Sequence, residues 1–252
     1  METKLYLDIH PQPDQSTCGP TCLHAVYRYY GDFLPLPRLI EEVDKLPDGG
    51  TLAVYLACHA LARGYRATIW TYNLRIFDPS WFKPGGCDMR EKLLAQAAYK
   101  VEDPVLGIAT EAYLKFLDRG GRLRFEVLTP RLIRRFLNRS VPILTGLSAT
   151  YLYDGPRERS LGDTLLYDDV RGESTGHFVV LGGYDRALRQ VLVADPLLPN
   201  PLSSTHYYAV DIYRLICAIM MGVLSHDGNL LVIESPNKRR RGKPRTTTAS
   251  CW

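Results

Sequence analysis

Two of the reactive side chains in this 252-residue sequence stand where local structure can activate them. Cys18 lies in QPDQSTCGPTC, Gln12 to Cys22, where an extended Pro- and Gln-rich segment meets the start of an apolar-striped helix. Unpaired N–H groups and the positive end of the dipole at a helix N-terminus favour a thiolate, so Cys18 is a candidate nucleophile. Gly19 leaves the backbone open to a substrate carbonyl. Pro20 fits the first turn, where its missing N–H costs nothing.

A cysteine nucleophile needs a base and a group to hold that base. Two β-rich runs, Gly176–Tyr184 (GHFVVLGGY) and Gln190–Asp195 (QVLVAD), are separated by a short polar turn and read as a hairpin. With the turn centred on Arg186, His177 falls opposite Asp195, Val179 opposite Val193 and Leu181 opposite Val191. Opposed side chains have Cβ atoms about 5 Å apart, within reach of a carboxylate–imidazole hydrogen bond. A slip of one residue would put them on opposite faces. Asp185, in the turn, is the weaker candidate for the acid. The tetrahedral oxyanion then needs a side-chain donor beside a backbone N–H, and Gln12 or Gln15 can supply it. This is the chemistry of thiol acyl transfer, which calls for no metal and no organic cofactor. Cys22 with His24 or His59 suggests zinc only faintly, because a second ligand pair at matching spacing is missing.

The elements that must position these residues are legible along the chain. Leu23, Val26, Tyr27 and Tyr30 form one stripe of a helix over Cys18–Tyr30, which Thr17 can cap and Gly31 can end. Further helices are expected over Pro37–Leu46, Leu52–Arg63, Met89–Asp118 with a break at Asp103-Pro104, Pro130–Leu137 and Ile212–Met221. Strands are expected over Tyr65–Tyr72, Arg122–Leu128, Val141–Leu147 and Asn229–Glu234, besides the hairpin. The aromatic run Thr71–Phe82 reads as core. Helices lead and an antiparallel sheet follows, so the fold class is α+β, one domain over 1–236.

Composition excludes several functions. With 46% hydrophobic and 23% charged residues the chain is globular, not disordered. The longest uncharged apolar run, Leu215 to Leu224, is ten residues, against roughly 20 for a membrane-crossing helix. The N-terminus lacks a secretory signal pattern and the six cysteines follow no disulfide framework, so a cytoplasmic location with free thiols is expected. The formal charge of +4 comes from a terminal run that includes Lys238 to Arg241, and residues 237–252 read as a basic disordered tail. The rest is slightly acidic, which argues against a nucleic-acid partner.

Gln12, then Cys18-Gly19 at a helix start, then Gly176-His177 in a strand and Asp195-Pro196 after the next strand, together resemble the papain-like cysteine peptidases. QPDQSTCGPTCLHAVYRYYG, GHFVVLGGYD and VLVADP resemble most the bacteriocin-processing peptidases that cleave leader peptides after a double glycine, with their free-standing relatives. The resemblance implies an N-terminal nucleophile helix packed on an antiparallel sheet and a peptide or protein substrate. It implies Cys18 as nucleophile, His177 as general base and acid, Asp195 as orienting carboxylate and Gln12 as oxyanion donor, the six-residue spacing favouring Gln12 over Gln15. The Cys–His separation is larger here than in that family, so residues 64–140 read as a helical insertion. An amidase or acyltransferase would use the same four residues, and a non-catalytic peptide-binding module is the reading from another class.

Overall fold

The computed structural model describes residues 2–47, 49–161, 164–225 and 227–236; the 237–252 tail and His226 lie outside the described residues. The elements in chain order are β1 (Glu2–Lys4), α1 (Cys18–Tyr30), α2 (Leu36–Glu42), α3 (Ala53–Ala62), β2 (Arg66–Thr71), α4 (Met89–Tyr99), α5 (Pro104–Asp118), β3 (Arg122–Arg124) and α6 (Pro130–Leu137). They continue as β4 (Ile143–Ser148), α7 (Ala149–Tyr153), β5 (Glu158–Leu161), β6 (Thr164–Tyr167), β7 (Gly176–Asp185), β8 (Gln190–Ala194), β9 (Tyr207–Asp211), α8 (Ile212–Met221) and β10 (Asn229–Glu234). This is an α+β architecture whose main sheet has eight strands, in the order β3-β2-β10-β4-β7-β8-β9, with β1 also on β7. Every pairing is antiparallel except β2 with β3, and β5–β6 form a separate hairpin.

Helices cover both faces of the main sheet, because its strands carry apolar residues at successive positions rather than at alternate ones. Leu144, Phe178, Val180, Leu231 and Ile233 pack with α1, α3 and α5 into a first core. Ile143, Val179, Leu181, Leu230 and Val232 pack with α6 and α8 into a second. Each fully buried large side chain, such as Leu23, Phe116 or Ile133, contributes about 1.5–3 kcal/mol relative to exposure. Ile76 and Phe77 of the aromatic run are buried, and Trp81 and Phe82 pack half-buried against the first core.

Local chemistry explains the element ends. Gly31 closes α1 with φ +81, the left-handed conformation that glycine adopts without strain. Asp103 accepts from Leu106 N at 3.0 Å and starts α5 where Pro104 ends the preceding turn. Asp211 caps α8 by accepting from Tyr213 N at 2.8 Å and Arg214 N at 3.1 Å.

Several expectations need correction. Thr17 gives α1 no side-chain cap; its hydroxyl turns back to the Asp14 carbonyl instead. Helix α2 stops at Glu42 because Val43 is extended, at ψ 126. The strand expected over Arg122–Leu128 ends at Arg124. Residues 64–140 are more than a set of helices: they give β2 and β3 to the main sheet and α6 to its second core. The hairpin register also differs, for Leu181 opposes Val193 and Tyr184 opposes Val191.

That last difference has a compact cause. Four residues, 186–189, separate the paired Asp185 and Gln190, and a bulge lies between Leu181 and Gly183. Carried on from Val180↔Ala194, the ladder puts His177 two positions from Asp195 on the same face. Without the extra residue the two would face opposite ways. Gly183 is held close here, since a Cβ on it would come 2.4 Å from the Thr3 carbonyl of β1.

Candidate active site

The start of α1 presses on the start of β7. A Cβ on Gly19 would lie 2.5 Å from Thr51 Cγ2 and 3.2 Å from Phe178 Cδ2, so glycine allows this approach. Cys22, one turn on, donates its thiol to the Phe178 carbonyl at 3.2 Å. Cys18 is thereby brought near enough to His177 to act on its imidazole. Among the described residues no N-cap side chain takes up the amides of the first turn of α1.

His177 Nε2 lies 2.8 Å from Asp195 Oδ1. Nδ1 is therefore the ring nitrogen left for the thiol. Asp195 is fully buried, and its carboxylate accepts four hydrogen bonds. Oδ1 takes His177 and the Leu197 backbone N–H at 2.9 Å; Oδ2 takes the hydroxyls of Tyr153 and Tyr208, each at 2.7 Å. Its main chain is held as well, with Asp195 N donating to the His206 carbonyl at 2.8 Å and His206 Nδ1 2.7 Å from the Asp195 carbonyl.

Burial works against the His177 imidazolium, but the charge and hydrogen bond of Asp195, with a smaller contribution from Cys18, push the group up to about 10. Burial likewise opposes the Asp195 carboxylate, yet His177 and the two tyrosine hydroxyls hold it below its ordinary range. The pair is thus an imidazolium and a carboxylate at neutral pH. Burial raises the Cys22 thiol well above its ordinary range and carries Cys58 to about 11, so both stay protonated.

Gln12 lies against the same corner: its backbone N donates to the Pro196 carbonyl at 2.9 Å. Its side-chain Nε2 donates one proton to the Asp14 carbonyl at 2.9 Å, which leaves the second amide proton to spend. Gln15 is exposed. Asp185 holds the hairpin turn through the Ala187 and Leu188 amides at 2.7 and 3.0 Å. His59 bonds Tyr27 at 2.9 Å and Glu42 at 3.1 Å, away from Cys22. Among the described residues no three or more His, Cys, Asp or Glu side chains converge as a metal site.

Sequence reasoning missed Tyr153, Tyr208 and His206. A signal existed for Tyr208: YYAVD alternates like a strand, and β9 places Tyr208 opposite Val193, on the Asp195 side of β8. Tyr153 ends the five-residue α7, which is too short to show helical periodicity.

No protein-family model matches the sequence, and no curated protein does. Among solved structures, the chain is similar to the crystal structure of xylellain, a cysteine protease from Xylella fastidiosa, over 93% of this chain and 85% of that one, at 12% identity and a TM-score of 0.37.

Proposed function

We propose that this chain is a papain-like cysteine peptidase that cleaves a peptide or amide bond through a thiol acyl-enzyme. The observation that carries the reading is the buried, hydrogen-bonded His177–Asp195 pair beside Cys18 at a helix N-terminus. An imidazolium beside the sulfur supplies the counter-charge that a thiolate nucleophile needs. Cys18 Sγ attacks the substrate carbonyl carbon, and the carbonyl π electrons move to oxygen. The Cys18 N–H and the Gln12 side-chain amide stabilise that oxyanion. His177 gives its proton to the departing amine as the C–N bond breaks, then takes one from the water that attacks the thioester. Asp195 keeps the ring oriented through both steps and stabilises its charge whenever it holds the second proton.

The substrate is a peptide or protein, in line with the resemblance to leader-processing peptidases, and no cofactor takes part. The five described cysteines are all free, which suits a reducing, cytoplasmic setting. Among the described residues no helix is long and apolar enough to cross a membrane.

The test is competitive alkylation of the full chain with limiting iodoacetamide at pH 6, followed by peptide mapping. Cys18 should label at least tenfold faster than exposed Cys217, since only Cys18 has an imidazolium partner. Incubation with a peptide library should then give products that the Cys18→Ala variant does not. Equal labelling of Cys18 and Cys217 would sink the reading. Products joined to an added amine, with none from water, would make the enzyme an acyltransferase.

A further inference from the structure

Among the described residues Oδ2 of Asp195 meets no cation; it is held by two neutral hydroxyls from outside the hairpin. Tyr153 comes from the end of α7 and Tyr208 from β9, and both reach the oxygen at 2.7 Å. We propose that Tyr153 and Tyr208 are positioning residues, which fix the plane of the Asp195 carboxylate and reserve Oδ1 for His177. This rests on the reading of Cys18 as an activated nucleophile.

The argument starts from the burial of Asp195. A carboxylate has about four acceptor sites, and inside a protein each one left empty is costly. The Leu197 amide is fixed by the backbone and meets only Oδ1. Rotation of the carboxylate about its Cβ–Cγ bond is therefore stopped on the other side by the two tyrosines. The two hydroxyls converge on the one oxygen, Oδ2. The Tyr153 ring centroid is 6.2 Å from that of His177, close enough to limit the imidazole as well. Burial raises both phenols far above their ordinary range, so each keeps its proton and donates at every pH where a peptidase works.

Tyr153→Phe and Tyr208→Phe keep the rings and delete only the donors. Asp195 should then protonate more readily, and the charge that sustains the imidazolium should fade at higher pH. We expect each variant to alkylate Cys18 about tenfold more slowly at pH 6 than the parent, with the acid limb of the rate profile moved up by about one pH unit. Tyr207→Phe is the matched control, because that hydroxyl donates to the Leu7 carbonyl at 2.7 Å and does not touch Asp195. Its profile should overlay the parent's.

If parent Cys18 labels no faster than Cys217, the peptidase reading fails. If Cys18 labels fast but the profiles of folded Tyr153→Phe and Tyr208→Phe overlay the parent's, the positioning role alone is overturned. A second measurement needs no variant. The two hydroxyl protons should appear in the parent as slowly exchanging downfield proton resonances, and rapid exchange of both would equally overturn the proposal.

Discussion

Asp195→Asn separates the charge of the buried acid from its shape. In the side chain that results, one oxygen becomes an NH2 group, and the neighbours dictate which. The Leu197 N–H is a fixed donor on Oδ1, so the amide oxygen must stay there and the NH2 must turn to the tyrosine hydroxyls, which can rotate to accept. His177 keeps its hydrogen bond and loses its counter-ion. Burial, already the largest influence on the imidazole, is then opposed only by the smaller contribution of Cys18, and His177 should titrate near or below its ordinary 6.5 instead of near 10. A difference of that size corresponds to roughly 5 kcal/mol.

The sign follows from both partners. His177 is raised on folding, so its contribution is complete below about pH 6.5 and is lost as pH rises through about 10. Asp195 is lowered, so its contribution is present above the ordinary carboxylate range and is lost as pH falls through its native value. One interaction underlies both shifts, and they are not added. The stability gap between the parent and Asp195→Asn should therefore be widest near pH 5–6 and shrink toward pH 10. Urea unfolding at pH 6 and pH 10, with His177 ring resonances followed by NMR, measures gap and titration together. An equal gap at the two pH values, or a variant His177 still titrating near 10, would refute the reasoning.

Three further outcomes are expected. Asp227, buried where it accepts from the Ala53 amide of α3 and from Asn229, is pushed up by burial to about 7; stability should fall by up to roughly 4 kcal/mol between pH 4 and 7, and Asp227→Asn should flatten that slope in urea titrations. Gly183→Ala should cost about 1–3 kcal/mol in thermal unfolding, because the new methyl meets the Thr3 carbonyl at 2.4 Å and Leu192 Cδ1 at 2.8 Å. Gly155→Ala, with nothing within 4 Å, should leave the melting temperature unchanged.

The parts of the molecule with strong periodicity were legible. Helix α1 runs over Cys18–Tyr30 as its apolar stripe and Gly31 require, and β10 keeps the bounds of its apolar run. The hairpin strands were legible, but their register was not: symmetry about Arg186 assumes no bulge, and the double glycine does not say which residue the ladder skips. Two errors offset each other there, a longer loop and an extra residue, so the expected face survived a wrong pairing. The tyrosines on Asp195 were hidden for another reason. Hydroxyl partners of a buried acid carry no pattern of their own, and these two come from elements of five residues each.

Cys18 and the His177–Asp195 pair stand on different foundations. Cys18 begins a helix of the first core, whereas Tyr153 and Tyr208 pack against the second. The two sides of the sheet can therefore fail independently. Loosening the α1 layer would detach the sulfur and leave the imidazole, the acid and both phenols assembled, so hydrogen exchange of the α1 amides should track loss of labelling at Cys18 while those of β8 and β9 stay protected. In such a molecule the proposed activity would disappear well before cooperative unfolding begins.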